Sequence, residues 1–203
     1  MNNGPIPQDA GVTSPLDVLP ATLPSLRLGS VVLRRFFETD ASVVREASAD
    51  PLIPLITTVP TAPSDEEVAA YITRQQSRRT DGIGYSFAIA DADSNAAVGQ
   101  IGLWLHDFRF GRVSVGYWVA PSARRRRYAT TAIMCVTEWG FSLPGVARVE
   151  LYVEPSNEPS WRAAEAAGFY REGLLRSWQA VGTERRDMFM YARLNEQRTS
   201  AST

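Results

Sequence analysis

The sequence of 203 residues has little cysteine and histidine, no excess of either charge and no long apolar run. Its one cysteine, Cys135, excludes an intrachain disulfide and argues against a thiolate-ligated zinc site. Lys and Arg number 21 against 22 Asp and Glu, so no overall basic field favours nucleic acid. No apolar run approaches the roughly 18 to 20 residues that a membrane span needs. These absences predict a protein without a metal or a membrane segment, in the reducing cytoplasm.

Length and composition fit one globular domain with two polar ends. Hydrophobic residues make up 44% and charged residues 21%, as in ordinary globular proteins, and a chain this long can bury a core without disulfides. Residues 1–24 are rich in Pro, Asn, Gly and Asp, and this composition predicts a flexible N-terminal arm. They also lack the pattern of a signal peptide. We expect the domain over residues 25–195 and a frayed tail over residues 196–203.

The pattern between these ends predicts a mixed α/β domain. Ser64 has the residues of an N-cap, and Glu67 completes a capping box, so one helix begins there. Three further helices are predicted to begin near residues 39, 127 and 156. Strand composition marks residues 26–35, 85–90, 97–104, 113–119, 149–153, 169–178 and 188–193. The third and fourth stretches predict a hairpin, and the last two a closing antiparallel pair.

Two segments carry a recognisable pattern. The first is residues 116–121 (GYWVAP), followed by four arginines at 124–127 and by Tyr128, Ala129 and Thr130. The second is residues 153–160 (VEPSNEPS), which leads to an AGF sequence at 167–169. With their order and spacing kept from about residue 26 to residue 194, they resemble the GNAT superfamily, specifically its ribosomal-protein N-terminal acetyltransferase-like branch of RimJ and RimL type.

The resemblance implies a fold and a reaction. The GNAT fold is α/β (α+β), with a mixed, mostly antiparallel central sheet of about seven strands that is splayed between strands 4 and 5 and flanked by about four helices. The implied enzyme is an N-acyltransferase that moves an acetyl or other acyl group from acyl-CoA to a primary amine by direct attack, without a metal. The acceptor would be a small molecule or a protein N-terminus, and the enzyme a monomer or homodimer.

The pyrophosphate of acyl-CoA needs main-chain N–H donors at a helix N-terminus, where the helix dipole favours anions. The turn between residues 123 and 129 provides such a terminus in the family, and a splayed strand offers its free peptide groups to the pantetheine arm. The resemblance assigns cofactor binding to Trp118, Val119, Arg124, Arg125, Arg126, Arg127, Tyr128, Ala129, Thr130, Asn157 and Ser160.

The resemblance also implies catalytic roles. The Val119 N–H would stabilise the oxyanion, and Ser160 would protonate the departing thiolate. Each assignment has a structural alternative. Asn157 could serve only as an N-cap, Ser160 could bind only backbone in the first helical turn, and Trp118 could be a core residue.

The phosphate turn departs from the family pattern. Arg124 and Ala129 fit its ends, but Arg127 stands where the family has glycine, and Arg125 stands where a glycine is common. A non-glycine residue in left-handed geometry costs on the order of 1 kcal/mol or more. The Arg127 side chain could point to solvent, grip phosphates or obstruct the turn. The four arginines also allow two alternatives, a donor such as aminoacyl-tRNA or a catalytically silent binding protein.

The sequence identifies the general base and the acceptor pocket less directly than the cofactor site. Many relatives have a Glu where this chain has Thr131, so we assign the base to Glu138, about two turns into the long helix. Other candidates are Glu66, Glu67, Asp107, Glu154 and His106, or a water relay. Substrate binding is assigned to three aromatic residues, Tyr85, Trp104 and Trp118. A specialised small-molecule acceptor, perhaps in a biosynthetic pathway, is our preferred expectation.

Overall fold

A computed structural model describes residues 18–196, which contain one sheet of eight strands. The strands lie in the order β1-β2-β3-β4-β5-β6-β8-β7, and only β5 and β6 pair in parallel. Their bounds are β1 Leu26–Leu28, β2 Val31–Arg34, β3 Gly84–Asp91, β4 Ala97–Trp104, β5 Arg112–Val119, β6 Arg148–Val153, β7 Tyr170–Val181 and β8 Glu184–Leu194. The count exceeds the expected seven because a turn at Gly29 divides the first predicted strand into the hairpin β1–β2.

Five α-helices flank the sheet in the described part of the chain: α1 Ala41–Ser48, α2 Ile53–Ile56, α3 Asp65–Ser77, α4 Tyr128–Ser142 and α5 Glu158–Ala166. The capping box predicted at the start of α3 is present. Ser64 N–H donates to Glu67 Oε2 at 2.8 Å, and Glu67 N–H donates to Ser64 Oγ at 3.2 Å. The single-turn helix α2 was not expected, because four residues are too few to show a helical period.

The expected splay in the sheet is confirmed between β5 and β6. The two strands pair only from Arg112 with Arg148 to Val115 with Leu151. Beyond these pairs β5 continues to Val119 while β6 turns away from it, so a gap opens between the two strands. Peptide groups that face the gap are therefore free to bind a ligand.

The sheet separates two hydrophobic clusters. Val115, Val119 and Leu151 belong to the larger cluster, together with the buried residues of α4 and α5. Trp118 points the other way and packs in the smaller cluster with Tyr71 and the buried residues of α1 to α3. Because side chains alternate along a strand, the segment 117–119 contributes to both faces of the sheet at the gap.

The start of the described chain is packed on the domain. Leu19 is 5% exposed within the larger cluster. The Pro20 carbonyl accepts hydrogen bonds from the Tyr85 hydroxyl and from Arg79 Nε, both at 2.7 Å. Leu19 and Pro20 of the expected arm are thus held on the domain, whereas residues 1–17 of the arm and residues 197–203 of the tail lie outside the described residues.

Candidate active site

A groove of about 1390 Å³ passes through the gap between β5 and β6. This volume exceeds the range of about 300 to 1,000 Å³ that is usual for one small-molecule site, so the groove has room for two substrates. Most of the residues assigned from sequence line it: Trp104, Trp118, Val119, Arg124, Arg125, Arg127, Tyr128, Ala129, Thr130, Asn157 and Ser160. Arg126, Glu138 and Tyr85 do not.

The turn before α4 directs main-chain N–H groups into the groove. The first hydrogen bond of the helix runs from the Thr131 N–H to the Arg127 carbonyl at 3.0 Å. The amides of Tyr128, Ala129 and Thr130 precede it and therefore have no acceptor within the helix. They stand at the positive end of the helix dipole, which is a favourable place for phosphate.

Two arginines of this turn adopt left-handed backbone geometry. The φ angle is 62° at Arg125 and 63° at Arg127, the two positions where the family favours glycine. Each costs on the order of 1 to 2 kcal/mol relative to a right-handed residue. Both side chains are exposed at the groove without a hydrogen bond or ion pair to a residue within 18–196. Since Ala129 and Thr130 still line the groove behind them, Arg127 does not close the turn.

The other two arginines are engaged elsewhere. Arg124 Nη2 donates to Asp50 Oδ2 at 2.6 Å, and its Nε donates to the Val119 carbonyl at 3.3 Å. Burial opposes ionisation of Asp50, but hydrogen bonds from two backbone amides and from Arg124 lower its pKa on balance. Arg126 lies over the ring of Tyr128 at 5.2 Å and does not line the groove. Of the four arginines, Arg125 and Arg127 therefore present unpaired guanidinium groups to the groove.

The Val119 N–H points into the gap. The next amide, that of Ala120, donates to the Val98 carbonyl on β4 at 2.9 Å. Successive peptide groups of a strand point to opposite sides, so the amide of Val119 faces away from β4. This orientation fits the expected oxyanion donor.

Ser160 lies opposite, at the start of α5. Asn157 caps this helix, because its Oδ1 accepts the Ser160 N–H at 3.3 Å. Ser160 Oγ lies 2.9 Å from the Tyr117 hydroxyl, and either group can be the donor. Burial raises the pKa of Tyr117, so its phenol is protonated at neutral pH. The resemblance implies no role for Tyr117 beyond the splayed strand, although its alternation with Val115 and Val119 was a signal that it lies on the same face of β5 as these two residues.

The structure places Glu138, the predicted base, outside the groove. Its side chain is 61% exposed and forms an ion pair with Arg193 Nη2 at 2.6 Å, outside the groove. Glu138 follows the exposed Met134 by four residues, so both lie on the outer face of α4. Of the other candidates, Glu66, Glu67 and Asp107 also lie outside the groove, whereas Glu154 and His106 line it.

Of the three aromatic residues that were assigned to substrate binding, two line the groove and one does not. Tyr85 packs its ring edge against Trp139 with centroids 4.7 Å apart, on the α4 side of the sheet, and is not a groove residue. Trp118 is buried in the groove wall, and its Nε1 donates to the Tyr71 hydroxyl at 3.2 Å. Trp104 also lines the groove.

The match to known proteins agrees with this geometry. The family model for the acetyltransferase (GNAT) domain matches residues 30–170, more than half of the chain. The chain belongs to the GNAT acetyltransferase family. A curated GNAT-type relative, the uncharacterized N-acetyltransferase p20 of Bacillus licheniformis, is 23% identical over 82% of this chain and 94% of its own length.

Solved structures of the same fold include one in complex with CoA-disulfide and one of a spermidine N-acetyltransferase. RimJ of Mycobacterium smegmatis in complex with CoA-disulfide has a TM-score of 0.68, with 24% identity over 86% of this chain and 88% of that one. A spermidine N-acetyltransferase chimera from Vibrio cholerae and hSSAT has a TM-score of 0.67, with 17% identity over 83% of this chain and 98% of that one.

Among residues 18–196, no group of three or more His, Cys, Asp or Glu side chains is arranged to hold a metal ion. No helix in this range has the length and apolar character of a membrane span.

Proposed function

We propose that this protein transfers an acetyl group from acetyl-CoA to a primary amine. The observation that carries the proposal is the gap between β5 and β6, which has free helix amides at one end and the Ser160–Tyr117 pair beside it. The structure of RimJ with CoA-disulfide supports CoA as the carrier.

The residues present fit acetyl-CoA. The amides of residues 128–130 and the unpaired guanidinium groups of Arg125 and Arg127 suit its phosphates. The edge of β5 from Gly116 to Val119 suits the amides of a pantetheine arm, because it has no strand partner on the gap side. When bound, acetyl-CoA supplies an activated acetyl thioester.

Three groups of this chain serve the transfer. The Val119 N–H stabilises negative charge on the carbonyl oxygen as the amine attacks. The Ser160 hydroxyl, hydrogen-bonded to Tyr117, gives a proton to the departing sulfur. Glu154 or His106, directly or through water, takes the proton that the amine loses. These two are the candidate bases that line the groove.

We assign the amine acceptor to the side of the groove that α3 covers, and acetyl-CoA to the side that α4 and α5 cover. The fold neighbours span protein and small-amine acetyltransferases, and we retain both classes, a small molecule or a peptide N-terminus, as the proposed acceptors. We also retain the cytoplasm as the compartment and a monomer or homodimer as the assembly, which light scattering after gel filtration distinguishes.

The proposal is tested by release of the CoA thiol. Purified protein is incubated with acetyl-CoA and with amino acids, polyamines, aminoglycosides or peptides, and the acetylated product is identified by mass spectrometry. We expect thiol release above the hydrolysis background with at least one class, together with a product heavier by one acetyl group. Thiol release that never depends on an added amine would contradict the proposal.

A further inference from the structure

The wall of the groove formed by α3 carries a hydrogen-bond donor without an acceptor. Tyr71, Gln75 and Arg78 follow one another at helical spacing, so they lie on one face, and all three line the groove. Gln75 is 2% exposed, and its Nε2 has no hydrogen-bond partner within residues 18–196. Its amide oxygen is already used, since it accepts the Ser86 hydroxyl at 3.0 Å. Gln75 therefore offers the groove an unpaired donor, while its oxygen is already held by Ser86.

Arg78 adds an unpaired positive charge beside this amide. Its Nε is buried without a partner, and its guanidinium group forms no ion pair in the described part of the chain. Burial and the nearby charge of Arg74 lower the pKa of Arg78, while Tyr71 and Asp81 act weakly in the opposite direction. A cation that is partly removed from water is costly unless an anion compensates it, so this position favours an anionic ligand.

Trp104 extends the donor surface to the gap. Its indole lies across Gly102 and Gly116, where an added Cβ would meet ring atoms at 2.1 Å and 3.0 Å. The atom nearest to Gly116 is Nε1, which can only donate and has no acceptor among residues 18–196. Arg78 lies over the same indole, 5.7 Å from the ring centroid. The unpaired donors therefore reach from α3 to the point where β5 and β6 separate.

Few acidic side chains line the groove beside these donors. Glu154 is the one carboxylate among the described residues that line the groove. Glu150, four residues before Glu154 and within β6, is buried and accepts hydrogen bonds from Arg148 and Tyr152, both at 2.7 Å. A polyamine would need several carboxylates, so the surplus of donors disfavours an acceptor of that kind.

We propose that the acceptor is an amine that also carries a carboxylate, as a free amino acid does. The carboxylate accepts hydrogen bonds from the Arg78 guanidinium group and the Gln75 amide, and the amine is thereby directed toward the gap. A planar carboxylate matches the forked donors of arginine. The assignment rests on the proposed function, because it names the acceptor for the same site.

The test measures binding of product-like probes rather than turnover. N-acetyl derivatives of glycine, phenylalanine and aspartate are each compared with the corresponding amide by calorimetry in the presence of CoA. In each pair only the main-chain carboxylate differs. For at least one pair, we expect the acid to bind wild-type protein about ten-fold or more tighter than the amide, as a charge-assisted pair provides.

Three variants locate the effect. Arg78→Gln should abolish the preference for the acid, whereas Arg78→Lys, which keeps the charge, should retain part of it. Arg45→Gln is the matched control, because Arg45 pairs with Asp65 at the other end of α3 and does not line the groove. It should leave the preference within about two-fold of wild type. Thermal unfolding of each variant verifies that the fold is intact.

The inference is overturned if amides bind as tightly as acids in every pair, if no acid binds at millimolar concentration, or if Arg78→Gln keeps the preference. Its failure is distinct from failure of the proposed function. Amine-dependent thiol release without a preference for carboxylates overturns only the acceptor class. Carboxylate binding that depends on Arg78, without any acetyl transfer, overturns only the reaction.

Discussion

The groove has a donor half, residues 119–130 with residues 157–160, and an acceptor half formed by α3, the ends of β3 and β4, and Glu154. The donor half uses main-chain amides from two continuous segments. The acceptor half uses side chains from separate segments, among them Gln75, Arg78 and Trp104. Changes in the donor half should therefore impair every acceptor alike, whereas changes in the acceptor half should alter which amine is used.

Among variants of the donor half, substitution of Ser160 should cause the largest loss of activity. Ser160→Ala should lower kcat about 100-fold if its hydroxyl protonates the sulfur, and it should change the Kd for acetyl-CoA less than two-fold. Tyr117→Phe removes the phenol that contacts Ser160 and keeps the ring. A smaller loss in Tyr117→Phe identifies Ser160 as the acid, and the reverse order gives that role to Tyr117. Steady-state kinetics and calorimetry measure both quantities.

Asp50 provides the next effect, because it anchors the phosphate turn through Arg124. Asp50→Asn should weaken acetyl-CoA binding about five- to ten-fold and destabilise the fold by about 1 kcal/mol, less than for a fully buried pair because Arg124 is half exposed. Arg124→Gln should act similarly, and the double variant should be no worse than either. Asp187→Asn, on the β7–β8 hairpin, is a charge-matched control that should bind acetyl-CoA normally.

The same ion pair predicts a pH dependence of stability. The pKa of Asp50 is lowered in the folded state, so its contribution is present above the unfolded value of about 3.9 and is lost as the pH falls. The difference in unfolding free energy between wild type and Asp50→Asn should shrink on acidification from pH 6 to about pH 3. Denaturant titrations at each pH measure it. A difference that grows toward acid would assign the effect to another group.

Glycine in place of the two left-handed arginines should have a smaller effect, and it should raise the stability of the fold rather than lower it. Arg125→Gly and Arg127→Gly should each stabilise the fold by roughly 0.5 to 1 kcal/mol, since relief of backbone strain exceeds the added entropy of the unfolded chain. Arg126→Gly is the matched control, because Arg126 lies between them without a positive φ and should not gain stability. Denaturant unfolding measures stability. Weaker acetyl-CoA binding in Arg127→Gly would show that this side chain grips phosphate.

Glu138 provides the smallest effect. Glu138→Gln should change kcat/KM less than about two-fold, because the carboxylate lies on the outer face of α4 against Arg193 and its surface ion pair contributes little. Glu154→Gln and His106→Gln are the comparison variants, since both residues line the groove. A large loss in Glu138→Gln alone would return the role of base to this helix and require a different groove.

Sequence was informative where function depends on contiguous chain. The caps at Ser64 and Asn157 follow from local patterns. The splay, the phosphate turn and the glycine position held by Arg127 follow from the resemblance of two contiguous segments to the family. The contact of Tyr117 with Ser160 joins residues 43 apart and depends on how α5 packs against β5. The position of Glu138 outside the groove was not predictable, because its distance from the turn along the helix does not determine the face on which it lies.

The acceptor half was largely hidden for the same reason. Gln75 and Arg78 become groove residues only because α3 packs across β3 and β4, and no local pattern distinguishes them from Arg74, which does not line the groove. Tyr85 and Trp104 are both aromatic strand residues, yet they point to opposite faces of the sheet. Which face meets the groove is determined by tertiary packing.

The most direct test of the account is titration of the protein with acetyl-CoA in a calorimeter. If the gap between β5 and β6 and the amides before α4 hold the donor, one molecule should bind per chain with a micromolar Kd, about −8 kcal/mol. Asp50→Asn should weaken that binding, and Glu138→Gln should leave it unchanged. No binding at millimolar acetyl-CoA, by a protein shown to be folded, would contradict the account.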